Sequence, residues 1–375
     1  MSETILKSAH ESAGAVFDPA NPGGWPLHYG RVEPAAVAHE YAALRDGAAV
    51  LDLGHRCLLE ATGPQRARFL QGMVTNDVAA LGAGESCRAA LLEARGDVLA
   101  LLRVVATRDA LLIESDASCM ARVQQTLEHY RVAAPVRFRL PPIAILGLAG
   151  PGVRALLARL WRTEADEPQA AEALAIPTPT TSASERRIRA VEATLADAPV
   201  RLVPAPDLGT HGMVLYVSPE AATSVWSALV TGGATPVGRT AFDVIRVEAG
   251  LAWWGSEVDE DHLLHETGLV AELCSFTKGC YVGQENVARL EARGAHVNRA
   301  LRSLRSTHPM RAGTEVRVGS ETVGTVTTAG VSPRLGPAAM AYVHRKHFAP
   351  GTAVTVDGHE ATVGLLPIDQ GPRSA

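Results

Sequence analysis

Lys278-Gly279-Cys280-Tyr281-Val282-Gly283-Gln284-Glu285, with Arg289 four residues further on, is the stretch from which this chain is best read. Two glycines bracket a single cysteine, a lysine precedes it, and a glutamate and an arginine follow. Glycine opens backbone shapes closed to other residues and lets a ligand or a second backbone come close. A lysine two residues before a thiol lowers its pKa when the two groups meet, which favours the reactive thiolate. Two readings are open. Cys280 is a small core residue, as most cysteines are, and the glycines belong to an ordinary turn. Alternatively the segment carries chemistry, with Cys280 as the functional thiol and Lys278 beside it.

Composition narrows the class. A chain of 375 residues holds two or three domains, each able to bury a core. Hydrophobic residues make up 47% and charged residues 20%, an ordinary globular balance. The net charge of −5 gives no general attraction for nucleic acid. Cys57, Cys87, Cys119, Cys274 and Cys280 form no C-x-x-C pair, so no zinc site is expected. Unpaired thiols suit a reducing cytoplasm. No apolar run approaches the ~20 residues of a membrane span. Residues 1–24 lack an apolar h-region, so no secretory signal is expected.

Further blocks stand in order along the chain. His28-Tyr29-Gly30 is followed by Leu44-Arg45-Asp46-Gly47-Ala48-Ala49-Val50-Leu51-Asp52-Leu53-Gly54-His55-Arg56. Thr62-Gly63-Pro64, Phe69-Leu70-Gln71-Gly72 and Thr75-Asn76-Asp77-Val78 come next. Arg246-Val247-Glu248-Ala249-Gly250 precedes Glu266, Leu269 and the cysteine segment. Together these resemble the YgfZ-type folate-binding proteins, whose signature runs K-G-C-[FY]-x-G-Q-E-x-x-x-R. Those proteins are relatives of GcvT, the aminomethyltransferase (T-protein) of the glycine cleavage system. The resemblance covers most of the chain.

The resemblance implies an α+β fold: two mixed antiparallel domains and a C-terminal β-barrel. Its domains would be an extension at 1–28, a first domain at 29–140 with 235–297 returning to it, a second at 141–234, and the barrel at 298–375. It also implies tetrahydrofolate or a derivative as ligand. A flat pterin with an anionic tail asks for aromatic walls, polar groups at the ring edge and nearby positive charge. The folate-binding candidates are Phe242, Asn76, Glu248, Tyr281, Gln284, Glu285 and Arg289. Phe242 is the stacking candidate; its alternative role is the apolar face of a helix with Ile245 and Val247. At Arg56 many YgfZ-type members carry an aromatic instead, and Trp253 with Trp254 are the nearest replacements. Between 278 and 305 six basic residues (Lys278, Arg289, Arg293, Arg299, Arg302, Arg305) face only Glu285 and Glu291, a local surplus that suits an anion or a solvated face.

Two departures set this chain apart from the T-protein. That branch has an acidic pair in a G-G-x-x-D-D pattern, which handles protons at the folate nitrogen. Here the stretch reads Arg95-Gly96-Asp97-Val98-Leu99-Ala100, with Leu99 and Ala100 at the acidic places. The T-G-E-D-G element is reduced to Gly209-Thr210-His211-Gly212. The resemblance therefore implies support of iron–sulfur enzymes, tRNA-modifying ones included, with iron–sulfur client or assembly proteins as partners and no direct contact with nucleic acid. A folate-dependent aminomethyl- or methyltransferase is one alternative, and a scaffold with a vestigial pocket is another.

Local patterns agree with mixed architecture. Residues 34–46 form an alanine-rich helix. Cys57–Ala61 reads as a strand, and Gly63-Pro64 then starts a helix with Ala67, Phe69, Leu70 and Met73 on one face. Leu99–Ala106 and Ala110–Glu114 read as buried strands. Ile143–Leu148, Gly150-Pro151 and the run Val153, Leu156, Leu157, Leu160 repeat the strand-Gly-Pro-helix unit. Residues 163–187 read as a loose connection, Val214–Val217 as a strand and Pro219–Val230 as a helix. Gly319-Ser320 and Asp357-Gly358 each join two β-rich runs as hairpin turns.

Overall fold

The computed structural model describes residues 4–160, 188–209 and 211–368. The expected connection at 163–187, and Thr210 of the reduced glycine element, lie outside the described residues. Two six-stranded sheets stand side by side, followed by a closed six-stranded barrel. The first sheet runs through Ile188–Arg189, Glu85–Leu92, Val98–Ala106, Ala110–Asp116, Arg56–Thr62 and Arg137–Arg139. The second runs through Val191–Leu195, Ala198–Pro204, Met213–Val217, Ala144–Ala149, Ala49–Asp52 and Thr235–Pro236. Pairing is antiparallel throughout the three, except for the short parallel bridge of Thr235–Pro236 to Ala49–Asp52. The sheets exchange strands across residue 140: Ala49–Asp52 sits in the second, Ile188–Arg189 in the first.

The strand Val98–Ala106 shows why this part of the chain reads as one apolar run. Successive side chains leave a strand on opposite faces. Leu102, Val104 and Ala106 pack with the helices Ala117–Arg131 and Arg66–Gln71, while Val105 packs towards the second sheet. Both faces are therefore dry. The second sheet is covered on its far side by Val153–Leu160 and Ala222–Thr231. The layers are helices, sheet, sheet, helices. The two strand-Gly-Pro-helix units occupy corresponding places, one per sheet, and Gly63 (φ 110) and Gly150 (φ 101) take the left-handed turn each needs.

Between the sheets lies a charged core. Arg103 donates to Glu114 at 2.6 Å and to Asp207. Arg56 donates to Asp207 at 3.1 Å, and its Nε lies 2.6 Å from Glu114. The Tyr216 hydroxyl closes the group on Glu114. Arg103 and Glu114 come from neighbouring strands of the first sheet, Asp207 and Tyr216 from the second-sheet half. Burial alone would raise both acids; the guanidinium of Arg103, aided by Arg56, holds Glu114 and Asp207 below the ordinary carboxylate range.

The barrel strands are Arg299–Ser306, Glu315–Val318, Glu321–Ser332, Gly336–His344, Ala353–Val356 and His359–Gly364. Along Gly336–His344, Ala339, Ala341 and Val343 fill the barrel. Ala338, Met340 and Tyr342 face the α+β body. Arg299–Ser306 has the same double burial, with Leu304 inside and Leu301 outside. Its arginines mask this in the sequence, where the segment reads as a basic cluster. Pro219–Ala221 is a 3₁₀ turn, and the regular helix begins at Ala222.

Replacing Arg103 with Met strands two buried carboxylates. Arg103→Met is expected to lower the unfolding free energy by about 3–5 kcal/mol, read from urea melts.

Candidate functional site

Helix Arg239–Ala249 ends at Gly250 in the left-handed conformation (φ 67), and the chain turns sharply through Trp253 and Trp254. The carbonyl of Trp253 accepts the amides of Ser256, Glu257 and Val258 at 3.3, 3.0 and 3.0 Å. Beneath this turn Arg246 donates to Glu257 at 2.7 Å, both fully buried, and Glu257 accepts the Trp253 amide at 3.0 Å. Arg246 also lies 5.3 Å from the Trp253 ring centre. The two tryptophans are thus fixed from below by an ion pair that cannot leave without exposing a charge.

The N-terminal segment extends this wall, with the Trp25 ring centre 6.0 Å from that of Trp253. Trp25 donates its indole N–H to the Val237 carbonyl at 3.1 Å. Arg239 and Thr240, at the start of the helix, donate their amides to Pro26 and Leu27 at 2.8 and 3.0 Å. Glu40 accepts the amides of Tyr29 and Gly238 on its two oxygens. Gly238 has no room for a side chain against Leu27. His55 lies parallel to Trp25, ring centres 5.7 Å apart, and 5.6 Å from Trp253.

These elements enclose a pocket of about 280 Å³ with Trp25, His55, Trp253, Trp254, Asp116 and Arg239 on its walls. Asp116 caps helix Ala117–Arg131 with Oδ1 alone, through the Ser118 amide at 2.8 Å. Its second oxygen has no hydrogen-bond partner among the described residues. Arg239 sits exposed at the rim, with Asp243 and Ser256 each at 3.3 Å. A recess of about 30 Å³ continues inward to Arg56, Arg88, Leu101 and Asp207. Desolvation pushes the His55 pKa down to about 4, outweighing the pull of Asp116. Its imidazole is neutral at pH 7. Trp25 and Trp253 pack together, ring centres 6.0 Å apart, so the pocket offers a flat, partly polar ring one aromatic wall, an acceptor at Asp116 and a cation at the mouth.

Phe242 does not line this pocket. It is fully buried and supports the walls, 5.6 Å from Trp25 and 5.0 Å from Trp253 between ring centres. Arg56, where an aromatic wall was expected, turns into the charged core. Glu248 lies at the junction with the barrel, where it accepts from Tyr41 at 2.9 Å, from Arg334 at 3.2 Å and from Ser332. Asn76 is buried and occupied: its amide donates to the Arg88 carbonyl at 2.7 Å, and its side-chain oxygen accepts the Asp77 amide at 2.9 Å.

No residue from 278 to 289 lines the aromatic pocket. Cys280 is exposed, and the other four cysteines are buried or half-buried. Lys278 turns inward to three carbonyls. Tyr281 is buried, and its amide donates to the Gln284 side chain at 3.2 Å. Glu285 is exposed at the start of helix Gln284–Ala292, and Arg289 donates to Asn286 at 2.5 Å. The local arginines do not converge on one point: Arg299 pairs with Glu266 at 3.1 Å, while Arg302 and Arg305 donate to the carbonyls of Phe348 and Leu335. Leu99 and Ala100 are buried, and Leu99 lines a separate groove of about 360 Å³ with Leu92, Tyr130 and Val282. Among the described residues no group of three or more His, Cys, Asp and Glu is placed to hold a metal ion, and no helix is long and apolar enough to cross a membrane.

Trp25, His55, Asp116 and Arg239 are the wall residues that sequence reasoning missed. Trp25 fell in a segment read as an extension, and nothing local pairs it with residues two hundred positions away. A pH test follows from His55. Its folded pKa lies below the ordinary imidazole value, so the unfolded chain binds the extra proton as pH falls from about 6.5 to 4. Stability from this group is expected to be intact above pH 6.5 and lost across that interval. Urea melts at pH 5 and 7.5 should show a smaller pH difference for His55→Phe than for the unaltered chain.

Residues 6–278 match the family model of the GCVT N-terminal domain, and residues 299–368 match the glycine cleavage T-protein C-terminal barrel domain. The stretch from Cys280 to Arg289 falls between the two. The chain is 30% identical over 363 residues to the aminomethyltransferase of Streptomyces avermitilis, covering 93% of this chain and 91% of that one. It is 29% identical over 350 residues to the aminomethyltransferase of Rubrobacter xylanophilus, covering 91% and 86%. The crystal structure of glycine cleavage system aminomethyltransferase T from Bartonella henselae superposes with a TM-score of 0.80 at 24% identity, covering 98% and 97%, a likeness of fold. By these matches the chain belongs to the glycine cleavage T-protein (GCVT) family.

Proposed function

We propose that this chain binds a tetrahydrofolate in the pocket lined by Trp25, Trp253 and Trp254 and works in folate-dependent one-carbon chemistry. The aromatic pocket carries this reading. Trp25, Trp253 and Trp254 supply faces for the pterin, the free oxygen of Asp116 accepts from its polar edge, and Arg239 at the rim meets the anionic tail. At about 280 Å³ the pocket is near the lower end of the ~300–1,000 Å³ typical of ligand sites, room for the ring system with the tail outside.

Aminomethyl or methyl transfer is the reaction that the similarities favour, because proteins named aminomethyltransferase align with more than four-fifths of their own length. Such a transfer needs a group that handles the proton at the folate nitrogen. Leu99 and Ala100 supply none; of the pocket carboxylates Asp18, Asp52 and Asp116, Asp52 is taken by Thr4, His10 and the Gly54 amide, and Asp116 alone also lines the inner recess beside Trp253 and Trp254.

A second reading rests on a different observation. Cys280 is exposed on an anchored loop, as a thiol that meets another protein must be. In this reading the chain is of the YgfZ type, acts in the cytoplasm, and supports iron–sulfur enzymes, tRNA-modifying ones among them. One thiol cannot hold a cluster that takes about four ligands, so the partner protein supplies the rest.

Calorimetry with tetrahydrofolate and its 5-formyl form tests the shared claim. Trp253→Ala is expected to weaken binding about tenfold or more, on the ~1–3 kcal/mol scale of ring stacking on an aromatic. Phe242→Ala is the poorer probe, since losing a fully buried ring costs about 3–5 kcal/mol of stability. Turnover of an aminomethyl or methyl donor, lost in Asp116→Asn, identifies the transferase. Binding without turnover, with loss of cellular complementation in Cys280→Ala, identifies the second reading. No binding at millimolar folate overturns both and leaves a scaffold.

A further inference from the structure

Helix Arg66–Gln71 is short and ends at Gly72, leaving carbonyls without partners inside the helix. Those of the following turn are met by residues 275–282, some two hundred positions away. The Ser275 amide donates to the Thr75 carbonyl at 3.0 Å, and the Val282 amide to the Gly72 carbonyl at 3.1 Å. Three more carbonyls are taken by one atom. Lys278 Nζ donates to Gln71, Val74 and Asn76 at 2.6, 2.5 and 3.0 Å. The Tyr281 ring centre lies 4.9 Å from the same nitrogen.

Three N–H donors meet three acceptors, so the ammonium is saturated. It also sits where a helix end favours positive charge. Thr75 and Asn76 tighten the same junction: the Thr75 hydroxyl donates to the Leu273 carbonyl at 2.6 Å, and the Asn76 amide lies 3.4 Å from the Glu272 carbonyl. Between the anchored Ser275 and Val282, the residues Phe276, Thr277, Gly279 and Cys280 are exposed, while the side chains of Lys278 and Tyr281 turn back inside. The Thr75-Asn76-Asp77-Val78 block and the cysteine block are therefore two halves of one hydrogen-bonded unit.

We infer that Lys278 is a positioning residue. Its ammonium, seated among the Gln71, Val74 and Asn76 carbonyls, pins the 275–282 loop so that Cys280 is displayed at a fixed place. It does not act on the thiol through its charge. This rests on the reading of Cys280 as the working thiol. The measurements below follow the loop and the thiol directly, so failure of the folate or iron–sulfur readings would leave them interpretable.

The test compares the full-length chain with Lys278→Met and Lys278→Arg. Hydrogen exchange over 272–283 reports the loop, and the pH dependence of iodoacetamide alkylation, assigned to Cys280 by mass spectrometry, reports the thiol. Both variants are expected to lose about tenfold in amide protection, the scale of one charge-assisted hydrogen bond. The planar guanidinium cannot aim three donors at the three carbonyls, so arginine does not restore the loop. The thiol pKa should be unchanged in both. In Lys278→Ala, propylammonium should restore protection and tetramethylammonium, which has no N–H, should not. A thiol pKa that rises in Lys278→Met and returns in Lys278→Arg, with protection unchanged, would overturn the inference in favour of charge activation. Equal rescue by the two ammonium ions would overturn it as well.

Discussion

Burying charge between two sheets is the constraint on which the rest of this molecule depends. Arg103, Arg56, Glu114 and Asp207 are taken out of water together, and each is tolerable only because the others are present. The group fixes the distance and register of the sheets. It also sets the back of the pocket, since Arg56 and Asp207 line the inner recess and the Asp207 carbonyl accepts the Trp253 indole N–H at 3.1 Å. The aromatic wall is held from behind by the main chain of Asp207, whose side chain joins the two sheets.

A second buried pair repeats the device one layer out. Arg246 and Glu257 join helix Arg239–Ala249 to the tryptophan turn and, through Thr328, to the barrel. Glu248 ties the same helix to the barrel through Ser332 and Arg334. The block Arg246-Val247-Glu248-Ala249-Gly250 is therefore structural. Its two charged residues point to different neighbours, and its glycine ends the helix where Leu366 leaves no space for a side chain. None of the three touches the pocket, yet the pocket's shape follows from all of them.

The aromatic pocket and the cysteine loop are separate features. The first is built from Trp25, His55, Trp253 and Trp254, the second from the carbonyl turn after Arg66–Gln71. Leu99 and Ala100 are buried apolar residues, and Cys280 is an exposed thiol in a stretch that the matched family models do not cover. The scaffold therefore carries an aromatic pocket and, apart from it, an exposed thiol. Family membership alone does not choose between them, because chemistry resides in sites and not in folds.

The chain by itself determined most strands and helices, the two strand-Gly-Pro-helix units and the hairpins of the C-terminal domain, which rest on local rules: side-chain period, turn chemistry and the conformations open to glycine. The fold class and the barrel came from the resemblance of its motifs to a known family. The sequence also marked Trp253, Trp254 and Cys280. Which residues meet was beyond it. Phe242 and Glu248 sit in telling motifs yet support structure, while Trp25 and Asp116 sit in plain ones and line the pocket. Lys278 shows the reason most directly. Its spacing from Cys280 suggests a partner for the thiol, but three carbonyls from the other end of the chain offer its ammonium a better place. Period and turn signals act over a few residues. A charged group's choice of partner depends on what the folded chain brings within 3 Å, and only the tertiary structure decides that.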